Sequence, residues 1–220
     1  MSFRVVKVGG SLFKSNQIGT AVDRWLRQKS TKPTVLVTGG GIWADQIRRL
    51  DAETCLSSHQ AHWLAVRAMS LTTILLANLM ERSTWIQEYS ELKFWLEHQQ
   101  AIQGKKQRQA IAVFDTENFL QEVEPSAPGT ELPKSWDVTS DSIAARLAEV
   151  TGADELILLK SIKASVDCPQ TAAHDGIVDS YFPQIAAALR ARAVPCRIET
   201  DKLMAPATSC DGPTDGNWVD

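Results

Sequence analysis

The sequence has no long hydrophobic run, no excess of basic charge and no N-terminal leader pattern. Its apolar stretches are short or periodic, and none reaches the ~20 residues that a membrane-spanning helix requires. The 220 residues include 23 Lys and Arg against 26 Asp and Glu, so no overall basic field indicates nucleic acid. Residues 1–4 lead straight into a strand-like run, without the charged and apolar regions of a signal peptide. We therefore expect a cytoplasmic protein without a membrane or nucleic-acid partner.

Cysteine is also scarce, and its spacing excludes two classes of site. The four cysteines form no CxxC pair, and no histidine lies at zinc-ligand spacing from them. This pattern is typical of reduced thiols in a reducing compartment. We predict neither a disulfide framework nor a metal ion held directly by protein ligands.

Glycine is sparse overall, at 12 residues, but two short turns hold five of them. The first turn, with Gly9, Gly10 and Ser11, follows the apolar run 5–8, and the second, Gly39 to Gly41, follows the run 35–37. Glycine lets backbone N–H groups approach an anion closely, and a following helix adds its positive end. Two such turns predict a site for two phosphate-bearing molecules, or for a phosphoryl group that passes between them.

The order of elements predicts a parallel sheet with right-handed crossovers. Strands are predicted at 3–8, 34–38, 110–114 and 156–159, with an extended segment at 196–199. Helices are predicted at 17–28, 42–50, 57–82, 88–102, 117–122, 140–150 and 180–190, with a loop at 103–109 and a loop-like tail at 205–220. The helix at 57–82 is apolar on more than one stripe, so we expect it to contact both the sheet and another subunit in a homo-oligomer.

Lys7 is the first candidate for a chemical role, because it lies two residues before the first glycine pair. The commoner nucleotide fingerprints, GxGxxG and GxxxxGK[ST], are absent from the sequence. A lysine at a strand end can reach over the glycines and neutralise charge on a transferring phosphoryl group. The alternative is a lysine that is merely solvated at the strand end.

The segment 136–141 is the second candidate. Thr139 or Ser140 can cap the alanine-rich helix that follows, whose N-terminus then faces an anion. Asp137 and Asp141 flank the cap, and either can hold a lysine in place or ligate Mg²⁺ through water. The alternative is an ordinary helix cap.

In this order and spacing, the segments Lys7–Ser11, Gly39–Gly41 and Thr139–Asp141 resemble the amino acid kinase family. Within that family, the segments 39–51, 136–142 and 178–183 look most like the kinases that phosphorylate aminomethylfuran-methyl phosphate in methanofuran biosynthesis. The resemblance implies a three-layer αβα sandwich with an open, mainly parallel sheet. It also implies one kinase domain over 1–220, with an acceptor half at about 1–134 and a nucleotide half at about 135–220.

The resemblance further implies ATP and Mg²⁺ as cofactors and a small, phosphate-bearing acceptor. Lys7 then stabilises the transferring phosphoryl group, and Asp141 organises this lysine or the metal. The remaining residues divide between the two ligands. Gly9, Gly10, Ser11, Thr139 and Ser140 are expected to bind ATP, while Gly39, Gly40, Gly41 and Asp137 are expected to bind the acceptor.

One segment departs from the family pattern. After the fourth strand, relatives carry two aspartates and a glycine that shape the nucleotide loop, whereas residues 159–164 here contain Lys160 and Lys163 instead. These lysines are expected to contact ATP phosphates. The alternatives are a changed preference for the phosphoryl donor and a loss of activity. The second catalytic lysine of several relatives has no clear match, with Lys202 as a candidate.

Asp45, Arg48 and Asp51 recur at spacing three on the helix that begins at the second glycine turn. An arginine suits a phosphate and a carboxylate suits an ammonium group, so Asp45 and Arg48 are predicted to bind the acceptor. The alternative is a solvated face of salt bridges. His59 and His62 are interpreted as packed on the long helix. The rival hypotheses are a family kinase with an amino acid, uridylate or isopentenyl phosphate acceptor, and a nucleotide- or anion-binding protein without turnover.

Overall fold

A six-stranded, entirely parallel sheet forms the centre of the computed structural model, which describes residues 2–29, 31–102, 109–162 and 168–200. The strands are β1 (Arg4–Val8), β2 (Thr34–Thr38), β3 (Thr84–Ile86), β4 (Ile111–Phe114), β5 (Glu155–Lys160) and β6 (Cys196–Thr200). Their order in the sheet is β3-β4-β2-β1-β5-β6.

The central strand β1 carries the register of the site. It pairs in parallel with β2 on one side and β5 on the other, so that Lys7 lies opposite Val37 and Leu158. Every residue of β1 and β2 is buried. Strands that are covered on both faces favour β-branched and other apolar residues, which accounts for the continuous valine-rich runs in this sequence.

Helices cover both faces of the sheet. They are α1 (Ile18–Lys29), α2 (Gly41–Thr54), α3 (Ser58–Leu79), α4 (Tyr89–Ala101), α5 (Thr116–Asn118), α6 (Ser140–Thr151), α7 (Pro169–His174) and α8 (Phe182–Ala191). A short 3₁₀ helix, Gly10–Lys14, follows β1, and a π turn, Phe119–Val123, and a 3₁₀ turn, Glu124–Ser126, follow α5.

Alternating residues of β1 divide the core into two layers. Val5 packs with the residues of α6 and α8, whereas Val6 and Val8 pack with Val22 and Leu26 of α1. This is the period-two alternation of a strand between two layers of helices. The predicted α/β fold with an open parallel sheet is therefore confirmed.

The predictions missed two short elements. The three-residue strand β3 and the six-residue helix α7 were not predicted, because neither is long enough to show a hydrophobic period. Residues 103–108 and the tail from 201 onward lie outside the described part of the chain. Within the described residues, no helix combines the length and apolar character needed to cross a membrane. The division into two halves near residue 134 stays a prediction.

Candidate active site

The site is a cleft of about 440 Å³ at the carboxyl ends of β1, β2 and β5. The chain crosses from β1 to β2 on one side and reaches β5 on the other, which makes this edge a switch point of the sheet. Crevices at such points are where open α/β sheets bind their ligands. The location therefore follows from the topology rather than from the size of the cleft.

The two glycine turns pack directly against each other at the base of the cleft. A Cβ atom on Gly10 would lie 2.5 Å from the backbone nitrogen of Gly41, and one on Gly39 would lie 2.7 Å from the nitrogen of Gly10. Gly41 also has a φ of +56°, which a side chain would strain. Glycine is required here because the two backbones touch, a reason that the sequence alone did not supply.

Lys7 and Lys160, which we call the lysine pair, share the buried carboxylate of Asp141. The Lys7 Nζ lies 2.9 Å from Asp141 Oδ1, and the Lys160 Nζ donates a hydrogen bond of 2.6 Å to Asp141 Oδ2. The Lys7 and Asp141 side chains are each 4% exposed, and the Lys160 side chain is 12% exposed. Two cations share one anion, so the group holds a surplus positive charge facing the cleft.

The titration of the group follows from its burial and its neighbours. Burial opposes ionisation of Asp141, but the two lysines outweigh it, and the pKa of this carboxyl falls below its ordinary value. Burial, with repulsion from Lys7, lowers the pKa of Lys160 to about 8 even though Asp141 opposes the change. At neutral pH the Lys160 ammonium group and the Asp141 carboxylate are therefore charged.

Asp179 holds the first turn of α6 in place. Its Oδ2 accepts hydrogen bonds from the backbone N–H and the hydroxyl of Thr139, and from the backbone N–H of Ser142. Its Oδ1 accepts from the Ser142 hydroxyl and from the backbone N–H of Phe182 at the start of α8. Thr139 makes no side-chain cap of its own, so Asp179 replaces it as the capping group.

This cap also fixes the position of Asp141, which lies in the first turn of α6. Burial, and then the nearby charge of Asp141, raise the pKa of Asp179, and the hydrogen bonds from Ser142 and Thr139 oppose that rise. Ser140 is buried beside it and faces the second glycine turn. The N-terminus of α6 thus points its positive end toward the cleft.

At one wall, the first glycine turn is joined to the end of β5. The Ser11 and Ser161 hydroxyls lie 2.7 Å apart, and the Gly9 N–H donates to the Leu159 carbonyl. A Cβ on Gly9 would lie 2.7 Å from that same carbonyl oxygen. The first glycine turn is therefore held between the second glycine turn on one side and the end of β5 on the other.

At the mouth of the cleft, α2 presents polar side chains. Arg48 forms an ion pair with Asp45 at 3.4 Å, and its guanidinium carbon lies 4.7 Å from the centre of the Trp136 ring. The Trp136 indole N–H donates a hydrogen bond of 2.6 Å to Asp51. Asp45 and Arg48 are about half exposed, in contrast to the lysine pair.

Most residues predicted from the sequence line this cleft, namely Lys7, Gly9, Gly10, Ser11, Gly39, Gly40, Gly41, Asp45, Arg48, Thr139, Ser140, Asp141 and Lys160. Asp137 does not line it. Its carboxylate accepts hydrogen bonds from the Ser135 and Ser180 hydroxyls at the surface. Its role in acceptor binding stays a prediction. Lys163 and Lys202 lie outside the described residues.

Several lining residues received no functional role from the sequence, and three of them carry polar groups that matter for the site: Asp179, His62 and Trp136. Asp179 lies 38 positions after Asp141, so only the folded chain shows that it caps α6. His62 is buried, and burial together with Lys134 lowers its pKa, which leaves the imidazole neutral at pH 7. Its predicted packing on the long helix is correct, but one side of it also borders the cleft.

The described residues contain no group of three or more histidine, cysteine, aspartate or glutamate side chains that could hold a metal ion. The site instead offers ammonium groups, a helix N-terminus and glycine backbone, all of which favour anions. A buried pair of lysines at the base of a glycine-walled cleft favours the binding of phosphate groups.

Comparison with known proteins agrees with a site for phosphate groups. Residues 2–169 match the amino acid kinase family, and this chain belongs to that family. It is 24% identical over 165 residues to (5-(aminomethyl)furan-3-yl)methyl phosphate kinase from Methanocaldococcus jannaschii, a match that covers 74% of this chain and 68% of the relative.

Solved structures of other kinases share the fold. Uridylate kinase from Archaeoglobus fulgidus superposes with a TM-score of 0.60 at 15% identity, over 91% of this chain and 92% of that one. Aspartate kinase from Synechocystis gives 0.62 at 12% identity, over 90% of this chain and 38% of that one. At these identities the likeness defines the fold alone, while membership of the family makes the protein a phosphotransferase acting on a small molecule.

Proposed function

We propose that this protein transfers the γ-phosphoryl group of ATP to a small phosphomonoester. The observation that carries the proposal is the lysine pair, in which Lys7 and Lys160 share the buried Asp141 at the base of the cleft. Phosphoryl transfer needs positioning and charge stabilisation more than covalent chemistry. Two ammonium groups with only one counter-charge supply that stabilisation in a site of low dielectric.

The state of the two buried carboxylates in the cleft, Asp141 and Asp179, is compatible with a phosphate as the acceptor group. Among described residues, the carboxylates that line the cleft are Asp45, Asp141 and Asp179. Asp141 is paired with two lysines and Asp179 caps α6, so neither is available as a general base. A phosphate monoester needs no base, because its second pKa is about 6 and its oxygens are already deprotonated at pH 7.

ATP fits this arrangement as the phosphoryl donor. Its phosphates would lie against Gly9, Gly10 and Ser11, with Lys7, Lys160 and the N-terminus of α6 toward the γ-phosphate. Mg²⁺ suits the nucleotide rather than the protein, because the described residues contain no cluster of metal ligands and Asp141 is already paired. We therefore assign the ion to the ATP phosphates and water, its usual partners in kinases, and no protein residue to it.

The acceptor that we propose is aminomethylfuran-methyl phosphate. The relative from Methanocaldococcus jannaschii bears the name of that activity, and the mouth of the cleft offers matching groups. Asp45 suits an ammonium group, Arg48 suits a phosphate, and Trp136 and His62 offer ring faces or edges to a furan. With this acceptor goes a place in C1-carrier biosynthesis and a cytoplasmic location.

The test is ADP release from ATP and Mg²⁺ with a panel of acceptors. The panel contains aminomethylfuran-methyl phosphate, isopentenyl phosphate, uridylate and acetylglutamate. We expect release to depend on the first, and a preference for uridylate or acetylglutamate would overturn the substrate assignment. If none of the four acceptors causes ADP release while calorimetry shows that ATP binds, a binding protein without turnover would be favoured.

We also propose a homo-oligomer that is formed through α2 and α3. Eight of the ten exposed large hydrophobic side chains of the described chain lie on these helices: Ile42, Trp43, Leu50, Leu64, Leu71, Ile74, Leu75 and Leu79. Residues 68–79 carry no charge. In a two-fold interface each residue near the axis faces its own copy, so an uncharged stripe avoids repulsion between like charges.

Light scattering tests this arrangement. We expect the wild-type mass to be a multiple of 24.2 kDa and the variant Leu71→Glu/Leu75→Glu to fall to a single chain. The control is Phe94→Glu, which changes a more exposed hydrophobic residue on α4 and should leave the mass unchanged. A wild-type mass of one chain would refute the proposal.

A further inference from the structure

Helix α2 forms one side of the cleft mouth and packs against α3 at the surface of the chain. None of its 14 residues is buried. It is bounded by two residues with positive φ, Gly41 at +56° and Cys55 at +52°. Because α2 buries so little surface within its own chain, specific side-chain contacts help to set its position.

Trp136 provides such a contact from the opposite side of the cleft. It precedes α6, and its single indole ring engages two side chains of α2 that lie three residues apart. The indole N–H donates to Asp51 Oδ2 at 2.6 Å, and the Arg48 guanidinium lies 4.7 Å from the ring centre. We call Trp136, Asp51 and Arg48 the Trp136 clamp.

The clamp has a direct consequence for Arg48. An exposed arginine on a helix samples many rotamers, and stacking on an aromatic face restricts the plane of its guanidinium. Arg48 and Trp136 both line the cleft, whereas Asp51 does not. Asp51 therefore affects the cleft through Trp136, and Trp136 affects it partly by orienting Arg48.

We propose that Trp136 and Asp51 are positioning residues that hold α2 and orient the Arg48 guanidinium toward the anionic group of the acceptor. The inference rests on the proposed function, since it assigns these residues to the acceptor side of that same site. The clamp lies at the mouth, away from the lysine pair. It should therefore govern the KM for the acceptor and leave kcat and the KM for ATP nearly unchanged.

Conservative variants separate positioning from general stability. Trp136→Phe keeps a ring under Arg48 but removes the N–H donor, and Asp51→Ala removes the acceptor of the same hydrogen bond. Each should raise the KM for the acceptor about five- to tenfold, which lies within the range expected when one ordinary hydrogen bond is lost. Asp51→Asn keeps an oxygen that accepts from the indole and should stay within twofold of wild type.

The double variant Trp136→Phe/Asp51→Ala should be no worse than either single variant, because both remove one interaction. Additive losses, or an equal fall in kcat or rise in the KM for ATP, would overturn the proposal.

Hydrogen exchange gives a readout that does not depend on turnover. Both single variants should exchange faster at the amides of α2 and unchanged at those of β1 and α6. If the wild-type protein turns over none of the acceptors, the proposed function fails by itself. The exchange result then decides alone whether Trp136 holds α2, and unchanged exchange in α2 would refute the clamp.

Discussion

The base and the mouth of the cleft are built in opposite ways. At the base, Lys7 and Asp141 are each 4% exposed and are held by a central strand and a capped helix. At the mouth, the side chains of Arg48 and Asp45 are 48% and 57% exposed, on a helix with no buried residue. Electrostatic interactions at the base are strengthened by the low dielectric of a buried site, and the charged groups there are held in place. At the mouth, water and ions screen the charges, and the side chains that carry them can move.

The difference indicates a division of labour. Stabilising charge in a transition state benefits from rigid groups in a place with little water. Recognising an acceptor requires contacts that can form and release as the molecule enters and leaves. We therefore expect substitutions at the base to lower kcat and substitutions at the mouth to raise the KM for the acceptor.

Lys7→Ala should have the largest effect, lowering kcat by about 10²-fold or more through loss of charge stabilisation. The fold should survive, because Asp141 keeps its 2.6 Å hydrogen bond to Lys160. Steady-state kinetics and a thermal melt measure the two effects. Lys32→Ala, which removes a lysine paired with Asp154 at the surface, is the control and should be nearly silent in kcat. If Lys7→Ala had the same kcat as the wild type, Lys7 would have no part in the chemical step.

Raising the pH should weaken the base of the cleft next. The pKa of Lys160 is about 8, so its positive charge is lost as the pH rises through that value. We expect kcat to fall by up to about tenfold for each pH unit above 8. In Lys160→Arg the cation does not titrate in this range, so its remaining activity should persist to higher pH. An alkaline limb that is unchanged in Lys160→Arg would assign it to another group.

Lys160 should affect the stability of the fold in the opposite direction to kcat as the pH rises. Because the pKa of Lys160 is lower in the folded chain than its ordinary value of 10.5, the unfolded chain binds more protons between about pH 8 and pH 10.5. The contribution of Lys160 to the free energy of unfolding therefore rises across that window. Lys160→Met should remove this rise, and urea titrations at several pH values measure the difference.

Gly10→Ala should have an intermediate effect by forcing apart the two glycine turns. The new Cβ would lie 2.5 Å from the Gly41 nitrogen, and overpacking of this kind costs about 1–3 kcal/mol of unfolding free energy. Thermal melts and ATP binding should both report the loss. Gly152→Ala is the matched control, since it meets no atom within 4 Å and is strained only by its φ of +69°. ATP affinity that is equally reduced in both variants would contradict the local explanation.

Asp137→Ala should have the smallest effect. Its carboxylate contacts Ser135 and Ser180 at the surface and does not line the cleft, so we expect both KM values to stay within about twofold. Kinetics with saturating ATP and varied acceptor provide the measurement. A large rise in the KM for the acceptor would instead support the role in acceptor binding that the sequence predicts for Asp137, and would extend the mouth beyond α2.

The sequence predicted the base of the cleft better than its mouth, for physical reasons. Lys7 and the glycine turns can be recognised from local sequence, because a buried strand that ends in glycine has few other interpretations. Asp141 is recognisable as part of a helix start. These features depend on neighbours within a few positions along the chain.

What the sequence missed depends on contacts across the fold. Asp179 meets α6 only because α6 and α8 pack together, and Trp136 meets Asp51 across 85 positions. The edge strand β3 has three residues, and its first two are exposed, so neither length nor pattern marks it. The role of the glycines was predicted as access for an anion, whereas the structure adds their mutual contact.

The contact between the two glycine turns has a consequence for inhibitor design. Because Gly10 and Gly41 touch through backbone atoms, the spacing between the proposed donor and acceptor subsites would be set by main chain rather than by mobile side chains. A single molecule that joins a nucleotide to an acceptor analogue would meet two half-sites at a fixed separation. A linker of matching length would give the second half a high effective concentration, and a linker that cannot span the gap would give none. In the proposed arrangement, the main chain therefore fixes the linker length that a bisubstrate ligand would need.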